Sequence, residues 1–114
     1  MSETSRLFIL WTNADPITSE KMVLMYATNS MLQQWWDEVT VIIWGATAKL
    51  AAENTGIQTA MQIAKSVGVR FRACKACSDQ LGVSGALERQ GIEVVYMGTE
   101  LTRILKENEK LLTI

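Results

Sequence analysis

The chain has 114 residues, 48% of them hydrophobic and 20% charged, with a formal net charge of −1. That is enough for one domain, residues 1–114, with a modest core. It is too apolar for a disordered chain and lacks the broad basic field of a nucleic-acid binder. No apolar run reaches the roughly 20 residues of a membrane span, and Met1–Arg6 lacks the basic start and long apolar stretch of an export signal; a cytoplasmic protein with neither a nucleic-acid nor a membrane partner is expected.

Leu7–Trp11 reads as a first strand, followed by a turn at Thr12-Asn13-Ala14-Asp15-Pro16. Asp15 suits a helix cap and Pro16 the first helical position. Residues 17–34 are strong helix formers, with Met22, Met25, Tyr26, Asn29 and Leu32 at helical spacing. Val39–Trp44 is a continuous apolar, β-branched run, the pattern of a strand buried on both faces, and Gly45 stops it. Residues 46–54 read as a loop with a short helical piece, and Gly56–Ser66 as a helix ended by Val67-Gly68. A third strand runs to Ala73. Gly82–Gly85 is a break and Ala86–Gln90 a short helix. Gly91 opens a fourth strand, Ile92–Tyr96, closed by Gly98. Thr99–Asn108 is a last helix and Leu111–Ile114 a final strand. Strands alternating with helices predict an α/β fold with a mostly parallel five-stranded sheet and helices on both faces.

Cys74 and Cys77, in Val69-Arg70-Phe71-Arg72-Ala73-Cys74-Lys75-Ala76-Cys77, carry the chemistry. The third strand hands over to a helix at Cys74, and in open α/β sheets ligands gather at the carboxyl ends of strands. A thiol beside a helix start, with Arg70, Arg72 and Lys75 near it, is expected to favour the thiolate, the reactive form. Cys74 is expected to face solvent or a partner, with Cys77 packed partly inward. The structural alternative is two buried cysteines facing the core. Histidine is absent, so every Cys/His or Ser/His/Asp arrangement is removed. Two cysteines are half of a tetrahedral zinc set, so neither a metal nor a cofactor is expected. A thioredoxin-type site fits poorly, because the motif follows the third strand and the one proline, Pro16, lies well before it.

The remaining candidates surround that motif. Trp11 and Trp44 end neighbouring strands; packing is the preferred reading, an approach to the Cys74 crevice the alternative. Asn13 and Asp15 fit a turn and cap, and Asn13 is also placed to line the crevice. Gly45-Ala46-Thr47-Ala48-Lys49 lacks the glycine spacing of a phosphate loop. Asn13, Trp44, Gly45 and Lys75 are therefore the candidate ligand contacts, and Cys74 and Cys77 the candidate catalytic pair. Trp35 and Trp36 cannot both face one core from a regular helix, so at least one is expected at a subunit interface.

Leu7-Phe8-Ile9-Leu10 leading to Thr12-Asn13, Val39 to Gly45, Gly68-Val69 followed by Cys74 and Gly82, and Gly91-Ile92-Glu93-Val94-Val95 stand in an order and spacing that covers nearly the whole chain. In these the chain resembles the DsrE/TusD (DsrE/DsrF-like) family of small sulfur-relay proteins. The resemblance implies a three-layer flavodoxin-like fold and assembly as trimers or hexamers. It also implies a cysteine, Cys74 here, that accepts sulfur from a donor protein as a persulfide and passes it to an acceptor; Cys77 lies outside the core pattern. A sulfur carrier is the leading expectation. A small-ligand-binding module, or a thiol redox sensor built on Cys74 and Cys77, is the alternative.

Overall fold

The structure is a computed structural model that describes residues 4–114; of the segment read for an export signal, Met1–Glu3 lie outside those residues. The apolar runs form strands β1 (Arg6–Trp11), β2 (Glu38–Ile43) and β3 (Arg70–Cys74), joined by β4 (Glu93–Val95) and β5 (Lys110–Thr113). The sheet order is β4-β3-β2-β1-β5, and every neighbouring pair is parallel. β1 and β2 lie in the interior, which is why they read as apolar on both faces.

Connections decide which face each helix covers. From β1 to β4 the chain steps one strand at a time in one direction. It passes through α1 (Pro16–Thr18) and α2 (Met25–Leu32), then α3 (Ala46–Glu53) and α4 (Thr55–Ser66), then α5 (Lys75–Gln80) and α6 (Ser84–Arg89). Right-handed crossovers put these helices on one face. There Ile9, Trp11, Val41, Ile43 and Ala73 pack against Leu24, Ala27, Met61 and Leu87 in the main core. The last connection, α7 (Met97–Lys106), returns across the sheet to β5 and so lies on the other face. A smaller core forms there from Phe8, Ile42, Cys74, Met97 and Ile104. The result is three layers, flavodoxin-like in arrangement, with unequal outer layers.

Several local expectations shift. Asp15 does cap the first helix, accepting from the Thr18 amide at 2.8 Å with Pro16 in the first helical position. The following residues, Ser19–Leu24, run as a π-helix before α2 begins. Val23, Leu24, Ala27 and Ser30 face the core, while Met22, Met25 and Leu32 are exposed. Ser19, Val23, Ala27 and Ser30 stand at ordinary helical spacing, but Ser19, Ala27 and Ser30 are small or polar while the outward Met22, Met25 and Leu32 are large and apolar, so the sequence points to the wrong stripe.

Residues 46–53 form a full helix rather than a loop. Its buried face is Thr47, Ala48 and Ala51, small residues that signal helix by propensity but give no apolar stripe. Asn54 ends it and caps α4, accepting from the Ile57 amide at 3.0 Å. Gly98 lies within α7 rather than closing β4. Trp35 and Trp36 follow the helix end, past Gln34 at φ +57°. Trp36 packs partly inside and donates to the Tyr26 hydroxyl at 3.2 Å, whereas Trp35 is 55% exposed.

Candidate functional site

β3 and β4 are neighbours whose chains leave toward opposite faces of the sheet. Cys74 pairs with Val95 in the ladder. From Cys74 the chain enters α5 and from Val95 it enters α7. This divergence is the switch point at which open parallel sheets leave a crevice. Cys74 is both the last residue of β3 and the cap of α5. Three helices start along this edge, behind Gly45, Cys74 and Tyr96, and none of the three has a side-chain cap. Their first amides are left for other partners.

The burial of the two thiols reverses the expected order. Cys74 is 4% exposed and belongs to the α7-side core, while Cys77 is only half-buried. The reason is register: Arg70, Arg72 and Cys74 alternate onto the α7 side of β3, so Cys74 ends the strand within the small core of Ile42, Met97 and Ile104. Cys77, one turn along α5, packs at the margin of the same core with Trp44 and Val95. Burial pushes the Cys77 thiol above its ordinary value, and its hydrogen bond with Cys74 pushes the same way; the Gly45 amide opposes both. Both cysteines are free thiols.

The expected cationic surround is not there. Arg70 lies four residues back, at the amino end of β3. Arg72 bonds Glu93 at 3.1 Å and approaches Glu100 at 3.6 Å. Lys75 is held by Asp79 at 3.0 Å, which raises its pKa, and its ammonium stands 5.8 Å from the Tyr96 ring centre. These charges are neutralised locally rather than aimed at Cys74.

The other candidates divide. Trp44 and Gly45 belong with the cysteines. Gly45, at φ +72° and ψ −134°, holds a conformation suited to glycine, and its amide works against the rise in the Cys77 pKa. Asn13 is spent on the turn: its Oδ1 accepts from the Asp15 amide at 3.0 Å, and its carbonyl accepts from Ser19 Oγ at 2.8 Å. Trp11 packs into the main core, fully buried, with Nε1 donating to Ser19 Oγ at 3.0 Å. The packing reading holds for Trp11, and an approach to Cys74 does not.

Three residues that sequence reasoning missed complete the edge. The buried Thr47 hydroxyl donates to the Trp11 carbonyl at 2.7 Å and receives the Trp44 amide at 3.1 Å, tying the ends of β1 and β2 together. Buried Ser78 donates to the Cys74 carbonyl at 3.0 Å and fixes the strand-to-helix corner. Tyr96 is 66% exposed beside Lys75. A small hydroxyl in a helix carries no sequence signal of this kind; an aromatic residue directly after a strand end was the one available clue.

Among solved structures the chain is similar to BT1422 of Bacteroides thetaiotaomicron, a conserved protein of unknown function. The two are 40% identical over 96% of this chain and 95% of that one, with a TM-score of 0.94. The chain belongs to the family of BT1422. Two more distant structures share the fold. The YchN protein of E. coli is 17% identical over 98% of this chain and 100% of that one, with a TM-score of 0.70. MTH1491 of Methanobacterium thermoautotrophicum, of unknown function, is 18% identical over the same shares, with a TM-score of 0.76. No family model and no curated protein matches the sequence. Among the described residues, no helix of this BT1422 relative is long and apolar enough to cross a membrane.

Proposed function

We propose that this member of the BT1422 family is a cytoplasmic sulfur carrier of the DsrE-like kind, holding sulfur as a persulfide on Cys74 and passing it to a partner protein. The observation that carries the reading is the placement of two free thiols, one buried and one half-buried, at the β3–β4 switch point. The resemblance in the segments around Cys74 and Gly82 supports the same chemistry.

The steps balance without a cofactor. A Cys74 thiolate attacks the outer sulfur of a donor persulfide; a new sulfur–sulfur bond forms, the donor's breaks, and the donor leaves as a thiolate. An acceptor thiolate then attacks the outer sulfur on Cys74, and Cys74 departs as a thiolate. The apolar wall of Ile42, Met97 and Ile104 shields the bound persulfide from water, and the amides at the helix starts favour the anionic forms. Cys77, nearer the surface, has a second route open to it: attack on the inner sulfur, forming a Cys74–Cys77 disulfide and expelling sulfide.

Incubation with a low-molecular-weight persulfide tests the reading. Intact-protein mass spectrometry should show a gain of one sulfur atom, removable by an acceptor thiol. No gain sinks it. A thiol redox sensor is the second reading, favoured by two free thiols one helical turn apart at the same small core; mild oxidation would then remove two hydrogens without adding sulfur. The exposed Trp35, Met22, Met25, Leu32 and Ile63 support a homo-oligomer, a trimer or hexamer by the same resemblance.

A further inference from the structure

The α7 side of the sheet is covered over only part of its length. Toward the carboxyl ends, Ile42, Cys74 and Val95 lie under α7. Toward the amino ends the same face opens into a cavity of about 520 Å³, with Phe8, Thr40, Arg70 and Arg72 among its walls and Glu100 and Arg103 of α7 on its rim. That volume falls within the roughly 300–1,000 Å³ of small-molecule sites. Both faces of a parallel sheet are ordinarily covered.

The charges of this cavity do not cancel. Five basic side chains and three carboxylates line it. Glu93 and Glu100 are already taken by Arg72 and Arg103. Lys65 donates to the carbonyls of Gln90 and Gly91 at 3.1 and 3.2 Å. Arg70 is exposed and has no ion pair among the described residues. Glu38, the third carboxylate, sits beside Arg6 in the β1–β2 register, and Arg6 itself bonds Glu109 at 3.0 Å, outside the cavity lining.

A second observation points into the same space. Thr40 lines the cavity and is only 8% exposed; its hydroxyl makes no hydrogen bond among the described residues and is not one of the fully buried unpartnered atoms, so it is open to the cavity. Thr40 is flanked in register by Phe8 on one side and Arg70 on the other. An apolar ring, an unused hydroxyl and an unpaired guanidinium therefore stand in one row across three strands.

We propose that this cavity binds a small organic anion, its carboxylate or phosphoryl oxygens on Arg70, a further acceptor on the Thr40 hydroxyl and its apolar part on Phe8. The site is separate from the cysteine crevice. Arg70 and Cys74 are four residues apart on one strand, about 13 Å at strand rise.

Backbone amide NMR on the whole protein tests this with two probes, succinate for the carboxylate and phenyl phosphate for the phosphoryl class. Saturable shifts centred on Thr40, Arg70 and Arg72 with at least one probe are expected, and the stronger binder identifies the class. Arg70→Gln should weaken that binding by about tenfold or more, and Thr40→Val, which keeps shape and strand propensity, by about fivefold. Persulfide loading of Cys74 should be unchanged in both variants, so failure here is distinct from failure of the sulfur-carrier reading. No saturable shift with either probe, or equal affinity in wild type and both variants, overturns the proposal. So does a fall in particle mass for Arg70→Glu without any probe shift, which would assign the face to a second copy of the chain.

Discussion

Cys74 and Cys77 lie one helical turn apart, the first thiol buried at 4% exposure and the second half-exposed, so the sulfur that solvent meets is the second. An alkylating reagent should therefore modify Cys77 before Cys74 in the folded protein. Peptide mapping after brief labelling checks the order. Because burial and the contact with Cys74 raise the Cys77 pKa, its labelling rate should still be climbing above pH 8.5, the approximate value of an unperturbed thiol. Equal labelling of both thiols, or a plateau below that pH, contradicts the geometry.

The same shift has a consequence for stability at alkaline pH. A thiol whose folded pKa is raised binds its proton more tightly in the native state. Its contribution is complete below the unfolded value and is lost as pH rises toward the folded one. Thermal midpoints should fall between about pH 8.5 and the higher folded value, and Cys77→Ser should flatten that part of the curve. Glu100 acts at the other end. Its carboxyl is held below the ordinary 4.5 by hydrogen bonding to Arg103, with Arg72 adding to the effect. Its contribution is present above that value and is lost as pH falls through it, so Glu100→Gln should show a shallower acid decline.

Gly45 offers a sharper test of the crevice. Its φ of +72° leaves a new methyl group with nothing within 4 Å to strike, so Gly45→Ala carries a backbone cost alone. A loss of about 1–3 kcal/mol is expected in denaturant unfolding. Because the Gly45 amide works against the rise in the Cys77 pKa, the Cys77 labelling profile should move as well. A stability loss with an unmoved profile would separate the glycine from the thiol.

Trp11→Phe should cost about 1–3 kcal/mol, since it removes the indole donor that Ser19 Oγ receives inside the core. Leu87→Ala, also in that core with no exposed surface, should cost about 2–5 kcal/mol. Urea unfolding measures both. A Trp11→Phe protein as stable as wild type would mean that the Ser19 link adds nothing.

How much of this was legible in the sequence follows from what each signal physically is. Five strands and their alternation with helices could be read because Leu7–Trp11 and Val39–Ile43 are apolar on both faces, as interior parallel strands must be. The Asp15-Pro16 cap was legible because it is local chemistry. The buried stripe of the first helical segment was not, since its inward residues include the small Ser19, Ala27 and Ser30 while the large apolar Met22, Met25 and Leu32 face outward. The place of the cysteines at a strand end was legible; their burial was not. Which thiol faces inward depends on α7 returning to the opposite face of the sheet, a long-range consequence of β5 joining beside β1. The pairing of Arg72 with Glu93 and Glu100 is equally non-local.

Particle mass tests the proposed assembly. Trp35 is 55% exposed, and Met22, Met25, Leu32 and Ile63 are exposed as well. Light scattering should give a trimer or hexamer of the 12.7 kDa chain, and Trp35→Ala should shift it toward smaller species. A monodisperse monomer at micromolar concentration contradicts the proposed assembly. An oligomer unaffected by Trp35→Ala keeps the assembly but removes Trp35 from the contact.

The central claim is that Cys74 holds the sulfur. The most direct measurement is intact-protein mass spectrometry of wild type, Cys74→Ser and Cys77→Ser after exposure to one persulfide donor. The account predicts one added sulfur atom in wild type, none in Cys74→Ser, and retention of the added sulfur in Cys77→Ser, where no neighbouring thiol remains to expel it as sulfide. Sulfur retained in Cys74→Ser and lost in Cys77→Ser would contradict it.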